Sequence, residues 1–256
     1  MDKNTLRRAV NVVATLAAIG INGLANALPI NGQNTGEISD RFVVYFVPAG
    51  YVFAIWGVIY LGLIASAVFQ ALPGQRSNQR LNRLGYWYAL GCAANAVWIL
   101  LWHYELFPFT LVAMGTLLLS LIVCYLRLGI GRLQVSPGER WAVHVPISIY
   151  LGWITVATVA NVTAVLDYWK WSGWGISPVA WAVIMLAVGA AIAVAMDLSR
   201  GDIAYTAVIV WAFAGIAVKH AGTPPVAWTA WTLIIIVIVP LLAAVPRVRS
   251  RRRVAG

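Results

Sequence analysis

Negative charge is what this chain has least of: Asp and Glu number 8 against 18 Lys and Arg in 256 residues. Charged residues make up only 10%, against 61% hydrophobic, and the mean hydropathy is +0.81. A soluble domain of this length cannot bury that much apolar surface, so the composition argues for an integral membrane protein. The shortage also recasts the net charge of +10. In a soluble protein it would suggest nucleic acid. Here it reads as a topology signal and a set of contacts for anionic membrane lipids, with no nucleic-acid partner expected.

Reactive side chains are scarce as well. The two cysteines, Cys92 and Cys124, fall inside apolar runs and read as small buried side chains, not as a disulfide or a metal pair. The three histidines, His103, His144 and His220, form no cluster with metal-ligand spacing. His103 and His220 fall at expected outer helix ends, where they could approach one another or ligate a haem iron; the plainer reading of each is structural. No nucleophile–base constellation is recognisable, so no catalytic residue is nominated. Glu37, Asp40, Glu105, Asp167, Asp197 and Asp202 fall in loops or at helix ends, which lowers the case for an ion-coupled pump. Ten-residue alternation, the mark of a membrane barrel, is missing, and no internal repeat is evident.

What the chain does have is long apolar runs. Eight are expected to span a membrane as helices, near residues 8–29, 47–71, 84–103, 107–127, 141–166, 178–197, 203–219 and 226–246. The fold class is therefore all-α, a polytopic helical membrane protein. With the N-terminus placed in the cytoplasm, only Arg41, Lys170 and Lys219 among the 18 basic residues fall outside. That asymmetry puts both termini, including the basic tail 247–256, in the cytoplasm. Ala25-Asn26-Ala27 resembles a signal-peptide cleavage site, but Val10 to Ile30 is long enough to span, and a retained first helix is expected.

The stretch Arg41 to Gln70 organises the reading. A loop, 31–46, polar in its first half and apolar and aromatic in its second, is either a lid or a plain connector, with Glu37 and Asp40 in it and Pro48 at its junction with the second helix. On that helix Ala49, Phe53, Trp56, Tyr60 and Ile64 share a face. The third helix offers Asn95, Trp98 and Trp102, and the fifth offers Pro146, Tyr150, Trp153, Ala157 and Asn161. Asn95 and Asn161 want hydrogen-bond partners and should face the bundle interior. Aromatic walls with a few polar anchors suit a flat, largely apolar ligand. The sixth segment carries Ala187, Ala191 and Ala195 as a small-residue packing face, and Trp169, Trp171 and Trp174 suit an interfacial aromatic belt.

Three motifs in register resemble the TspO/translocator-protein family, also called tryptophan-rich sensory or peripheral benzodiazepine receptor-like proteins. The family's PPxWVFxxxWxxLY pattern is matched by Pro48-Ala49-Gly50-Tyr51-Val52-Phe53, Trp56 and Ile59-Tyr60. Its Asn-x-x-Trp is matched by Asn95 and Trp98, and its Tyr-x-x-Trp with a following Asn by Tyr150, Trp153 and Asn161. The second proline of the pattern is Ala49 here, and the tryptophan after it is Tyr51. The resemblance covers residues 1 to about 170 and implies a five-helix bundle with a lid. It leaves three further helices (171–246) without a counterpart and without any visible tie to the opening stretch.

The resemblance implies a binding or sensory protein for tetrapyrroles such as porphyrin or haem, in some members sterols. It places Trp56 and Trp153 against the ligand, with Asn95, Trp98 and Asn161 beside them. No cofactor is required; porphyrin or haem would be ligand. Transport of a small lipophilic substrate and photo-redox breakdown of porphyrin are the alternatives. Leu166 to Lys170 fits a proposed sterol pattern, though an ordinary interfacial Tyr/Trp/Lys anchor is the plainer reading. The expected location is a bacterial cytoplasmic membrane, and the extra helices could serve a homodimer.

Overall fold

The computed structural model describes the backbone of residues 3–28 and 30–254, and the side chains of residues 4–25, 27–28 and 30–242. The side chains of Asn26, in the cleavage-like triplet, and of the basic tail 247–256 lie outside the described residues. Each of the eight apolar segments is a helix: α1 (Lys3–Ala27), α3 (Ile55–Ala71), α5 (Trp87–His103), α6 (Phe107–Leu128), α7 (Val145–Tyr168), α8 (Pro178–Arg200), α9 (Ile203–Lys219) and α10 (Pro224–Val254). Two short helices, α2 (Thr35–Asp40) and α4 (Gln79–Leu84), lie in the connections. Among the described residues there is no strand. Six of the helices are long and apolar enough to cross a membrane. The other two, α5 and α9, have 17 residues each, a rise of about 25 Å that approaches the thickness of the hydrocarbon core. The chain is an all-α polytopic membrane protein.

Two compact units divide the residues. The first holds 1–41, 56–130 and 135–151; the second holds 42–55, 131–134 and 152–256. They interleave along the chain, and neither coincides with residues 1–170.

In the first unit α5 packs against α1 and α6. The buried face of α1 is polar: Arg8, Asn11, Thr15, Ala18, Asn22 and Ala25 recur at alternating steps of three and four. Each polar member is matched. Arg8 donates to the Arg76 carbonyl and to Asn82, Asn11 donates to Gln70 at 3.2 Å, and Asn22 donates to Asn95 at 2.6 Å. The Thr15 hydroxyl donates to the Asn11 carbonyl, which leaves it to accept from the Tyr88 hydroxyl at 3.2 Å.

Pro146 sits in the first turn of α7, where its missing N–H would orphan the Ala142 carbonyl. A π-helical turn over Arg140–His144 takes up the irregularity, and the Ser66 hydroxyl donates to the Ala142 carbonyl at 2.5 Å. Opposite Pro146 stands Gly62, where a Cβ would lie 2.8 Å from the proline ring. The close approach of α3 to α7 therefore depends on that glycine.

In the second unit α8 packs against α9 and α10. Ser177 caps α8 with Pro178 at its first position, Gly201 ends it at φ 57°, and Asp202 caps α9. The buried face of α8 is Ala182, Leu186, Ala190, Ala193 and Asp197. Ala187, Ala191 and Ala195, expected to pack, are exposed. Four-residue spacing alone does not say which of two alanine stripes faces a neighbour. Trp171, Trp174 and Trp181 cluster at the start of α8, and Trp181 pins the linker by donating to the Gly173 carbonyl at 2.9 Å.

Candidate functional site

The buried stripe of α3 is mainly aliphatic, with Ile55, Ile59, Leu63 and Ala67, and turns polar at Ser66 and Gln70. The aromatic residues sit one position round the helix, so Trp56 and Tyr60 are half-buried and Ile64 is exposed. Within the first unit Trp56 stacks on Tyr60, centroids 5.6 Å apart and planes at 24°, and Tyr150 of α7 meets Trp56 edge-on at 6.1 Å. Tyr150 is buried and also borders a small cavity lined by Leu63, Trp87, Tyr88, Cys92, Ser120 and Cys124. Both cysteines are free and buried.

Asn95 is buried on α5 and accepts from Asn22, while its own Nδ2 has no hydrogen-bond partner. A free amide donor at that depth is available to an acceptor on a ligand. Trp98 and Trp102 stack at 5.5 Å and 19°, and Trp102 meets Phe107 edge-on.

Trp102 has a second task. Its indole N–H donates to the Thr35 carbonyl at 3.3 Å, at the start of α2. The neighbouring His103 is fully buried. Its Nδ1 donates to the Ile30 carbonyl at 3.1 Å, its Nε2 accepts from the Thr35 hydroxyl at 3.0 Å, and its carbonyl accepts from Asn31. The partners assign this tautomer. His103 is thus an anchor for the loop, and with both ring nitrogens engaged it is not free to ligate a haem iron. Of the expected lid residues, Glu37 closes a capping box with Asn34 at the start of α2, Asp40 ends that helix, and Pro48 belongs to the other unit. Arg41 pairs with Glu105 at 2.9 Å and lies over the Phe107 ring.

One buried ion in this unit escaped the sequence reading. Glu139, 2% exposed, accepts from Arg80 through both of its oxygens, at 2.8 and 2.7 Å, and from Asn78 at 3.1 Å. Its hydrogen bond holds the Arg80 guanidinium above its ordinary pKa, against the opposing effect of burial. The sequence offered one clue, a Ser-Pro-x-Glu helix start in which Ser136 caps the Glu139 N–H.

In the second unit Phe53 meets Trp153 edge-on, centroids 5.7 Å apart, and Asn161 is buried. Residues 42–55 lie along α9. The Ala49 N–H donates to the Gly215 carbonyl at 3.1 Å, and the Trp211 indole donates to the Val52 carbonyl at 3.1 Å. Tyr51 packs edge-on against Trp211, and Tyr45 lies 5.4 Å from the His220 ring. A Cβ on Gly215 would collide with Val52 and touch Pro48 at 3.0 Å. A proline at 49 could not make the bond to Gly215, so the alanine there has a structural use.

The sequence profile of a family described as TSPO-like protein matches residues 8–243. The chain belongs to the TSPO-like family. The match takes in α8, α9 and most of α10, so the helices that the motifs alone left without a counterpart lie inside the matched region of this TSPO-like protein. No curated protein and no solved structure gives a significant match. Among the described residues, no three His, Cys, Asp or Glu side chains are grouped to hold a metal ion.

His220 gives this TSPO-like protein a pH-dependent contact. Burial lowers its pKa, Lys219 adds to the effect, and a hydrogen bond to the Val47 backbone opposes it. The unfolded chain then takes up the proton first, so stability falls as pH drops below about 6.5 and levels off once the folded state is also protonated. Thermal unfolding across a pH series should show this slope, and His220→Gln should reduce it.

Proposed function

We propose that this membrane protein, a binding or sensory protein by family, takes a planar hydrophobic ligand of the tetrapyrrole class. The observation that carries the reading is the Trp56–Tyr60 stack, half-buried and backed by Tyr150. Such ring faces bind a flat conjugated ligand through stacking and area burial, and a few polar groups fix its orientation. The unpartnered Asn95 Nδ2 supports the second part. In the first unit Trp98, Trp102 and Tyr150 complete the candidate ligand set; in the second, Phe53, Trp153 and Asn161 form a candidate set of their own. The basic-residue asymmetry supports a cytoplasmic N-terminus.

The test is titration of detergent-purified protein with protoporphyrin, followed by Soret-band change and tryptophan quenching. Saturable binding is expected, and Trp56→Ala should weaken it by about tenfold to thirtyfold, as for an aromatic anchor. No saturable binding would remove the ligand class, and wild-type affinity in Trp56→Ala would remove the stack from the site.

A second reading, transport of a small lipophilic substrate, draws on Asp197. It is fully buried in a spanning helix, accepts from the Thr206 hydroxyl, and leaves Oδ2 without a partner. The sequence placed it at a helix end; it lies one turn before the end of α8, facing α9. Ionisable groups buried in spanning helices mark substrate and ion paths. Flux across liposomes separates transport from binding alone.

A further inference from the structure

We infer that α9 is the positioning element for residues 48–53, and through them for Phe53, with Trp211 and Gly215 as the positioning residues. The ligand consequence rests on the reading above; the docking does not. The contacts come from independent parts of the segment. One is backbone to backbone, from Ala49 to Gly215. One is side chain to backbone, from Trp211 to Val52. One is ring to ring, Tyr51 on Trp211, and one is steric, since no Cβ fits at Gly215 beside Val52 and Pro48.

The segment needs such support. Gly50–Ala54 is a 3-10 turn whose cap, Ala49, is extended and has no side-chain cap. A 3-10 turn has poorer hydrogen-bond geometry than an α-helix and rarely holds its place by local bonds alone. Here the Ala49 N–H is taken by a helix carbonyl, and the Val52 carbonyl, which already accepts from the Ile55 N–H, gains an indole donor, so α9 satisfies a backbone donor that would otherwise be orphaned at membrane depth. Val52 is fully buried while Tyr51 is exposed. The docking therefore fixes which way the turn faces, and Phe53, the next residue, meets Trp153.

Three substitutions separate the contacts. Ala49→Pro keeps the backbone angle already present, φ −60°, removes the N–H donor and sets a ring carbon against the Gly215 carbonyl. Trp211→Phe removes the indole donor and keeps a ring. Gly215→Val introduces the forbidden Cβ, and because it risks misfolding the first two variants carry the argument. Hydrogen exchange over residues 48–53 is measured without ligand in full-length protein, and protoporphyrin affinity is measured by titration.

Exchange of the segment should speed up by about tenfold in Ala49→Pro and in Trp211→Phe, the loss of roughly one hydrogen bond. Affinity should fall about tenfold in the same variants. Unchanged exchange in both variants overturns the positioning role whether or not porphyrin binds. Faster exchange with unchanged affinity overturns its link to the ligand. If wild type binds no porphyrin, the ligand reading fails by itself, and exchange still decides whether α9 holds the segment.

Discussion

Arg80→Ala should destabilise the protein by about 3 kcal/mol, clearly more than Glu139→Gln. The asymmetry follows from where the two charges sit. Glu139 is 2% exposed and Arg80 is 36% exposed. Removing the arginine leaves a buried carboxylate with Asn78 as its side-chain donor and His144 Nε2 at 3.8 Å. Removing the negative charge leaves a guanidinium that water can reach. Breaking a buried pair from one side costs about 3–5 kcal/mol, and solvent access to Arg80 places this pair at the low end. Arg80→Lys should fall between, because a lysine cannot reproduce the two-pronged contact. Thermal unfolding of the three variants in one detergent checks the order. Equal losses for Arg80→Ala and Glu139→Gln would show that the pair behaves as a surface ion pair.

His103→Ala should release the segment from Ile30 to Thr35 at a cost of about 3 kcal/mol. The ring is fully buried and bridges that segment through both nitrogens. Truncation leaves the Ile30 carbonyl and the Thr35 hydroxyl without these partners and opens a void the size of an imidazole. Trp102 remains bonded to the Thr35 carbonyl, so the loss should be confined to the loop. Hydrogen exchange at residues 30–37 should rise by at least an order of magnitude while the α5–α6 core stays protected. His103→Gln, which keeps one donor and one acceptor, should recover part of the protection. Wild-type exchange in His103→Ala would mean that the capping box at Asn34 and Glu37 holds the loop without the histidine.

The parts of the candidate site were readable one residue at a time and unreadable as an arrangement. Aromatic spacing put Trp56 and Tyr60 on one face of α3, and they do stack. It did not show that the face is only half-buried, because the aliphatic stripe beside it fits the same periodicity. Asn95 was expected to find an interior partner. That the partner is Asn22 needed the structure, although Asn11, Thr15 and Asn22 repeat along α1 in a pattern that marks a polar inner face. Asp197 looked like a helix-end residue because its position in the chain is near an end; its burial comes from α9 folding back against it.

The sequence by itself determined the all-α membrane class, the family and the eight helices, with every boundary but the start of α3 and the end of α10 within about five residues. All three follow from composition, from apolar runs long enough to span and from motif spacing, which are properties of one dimension. Only the tertiary structure decided what the Pro48 stretch serves. It belongs with helices that begin more than 120 residues later in the chain, through a proline-free N–H at Ala49, an indole at Trp211 and the bare Cα of Gly215. A backbone donor, a ring nitrogen and a missing side chain carry no hydrophobic periodicity. Contacts made of them leave no pattern in the sequence and exist only once the chain has brought them together.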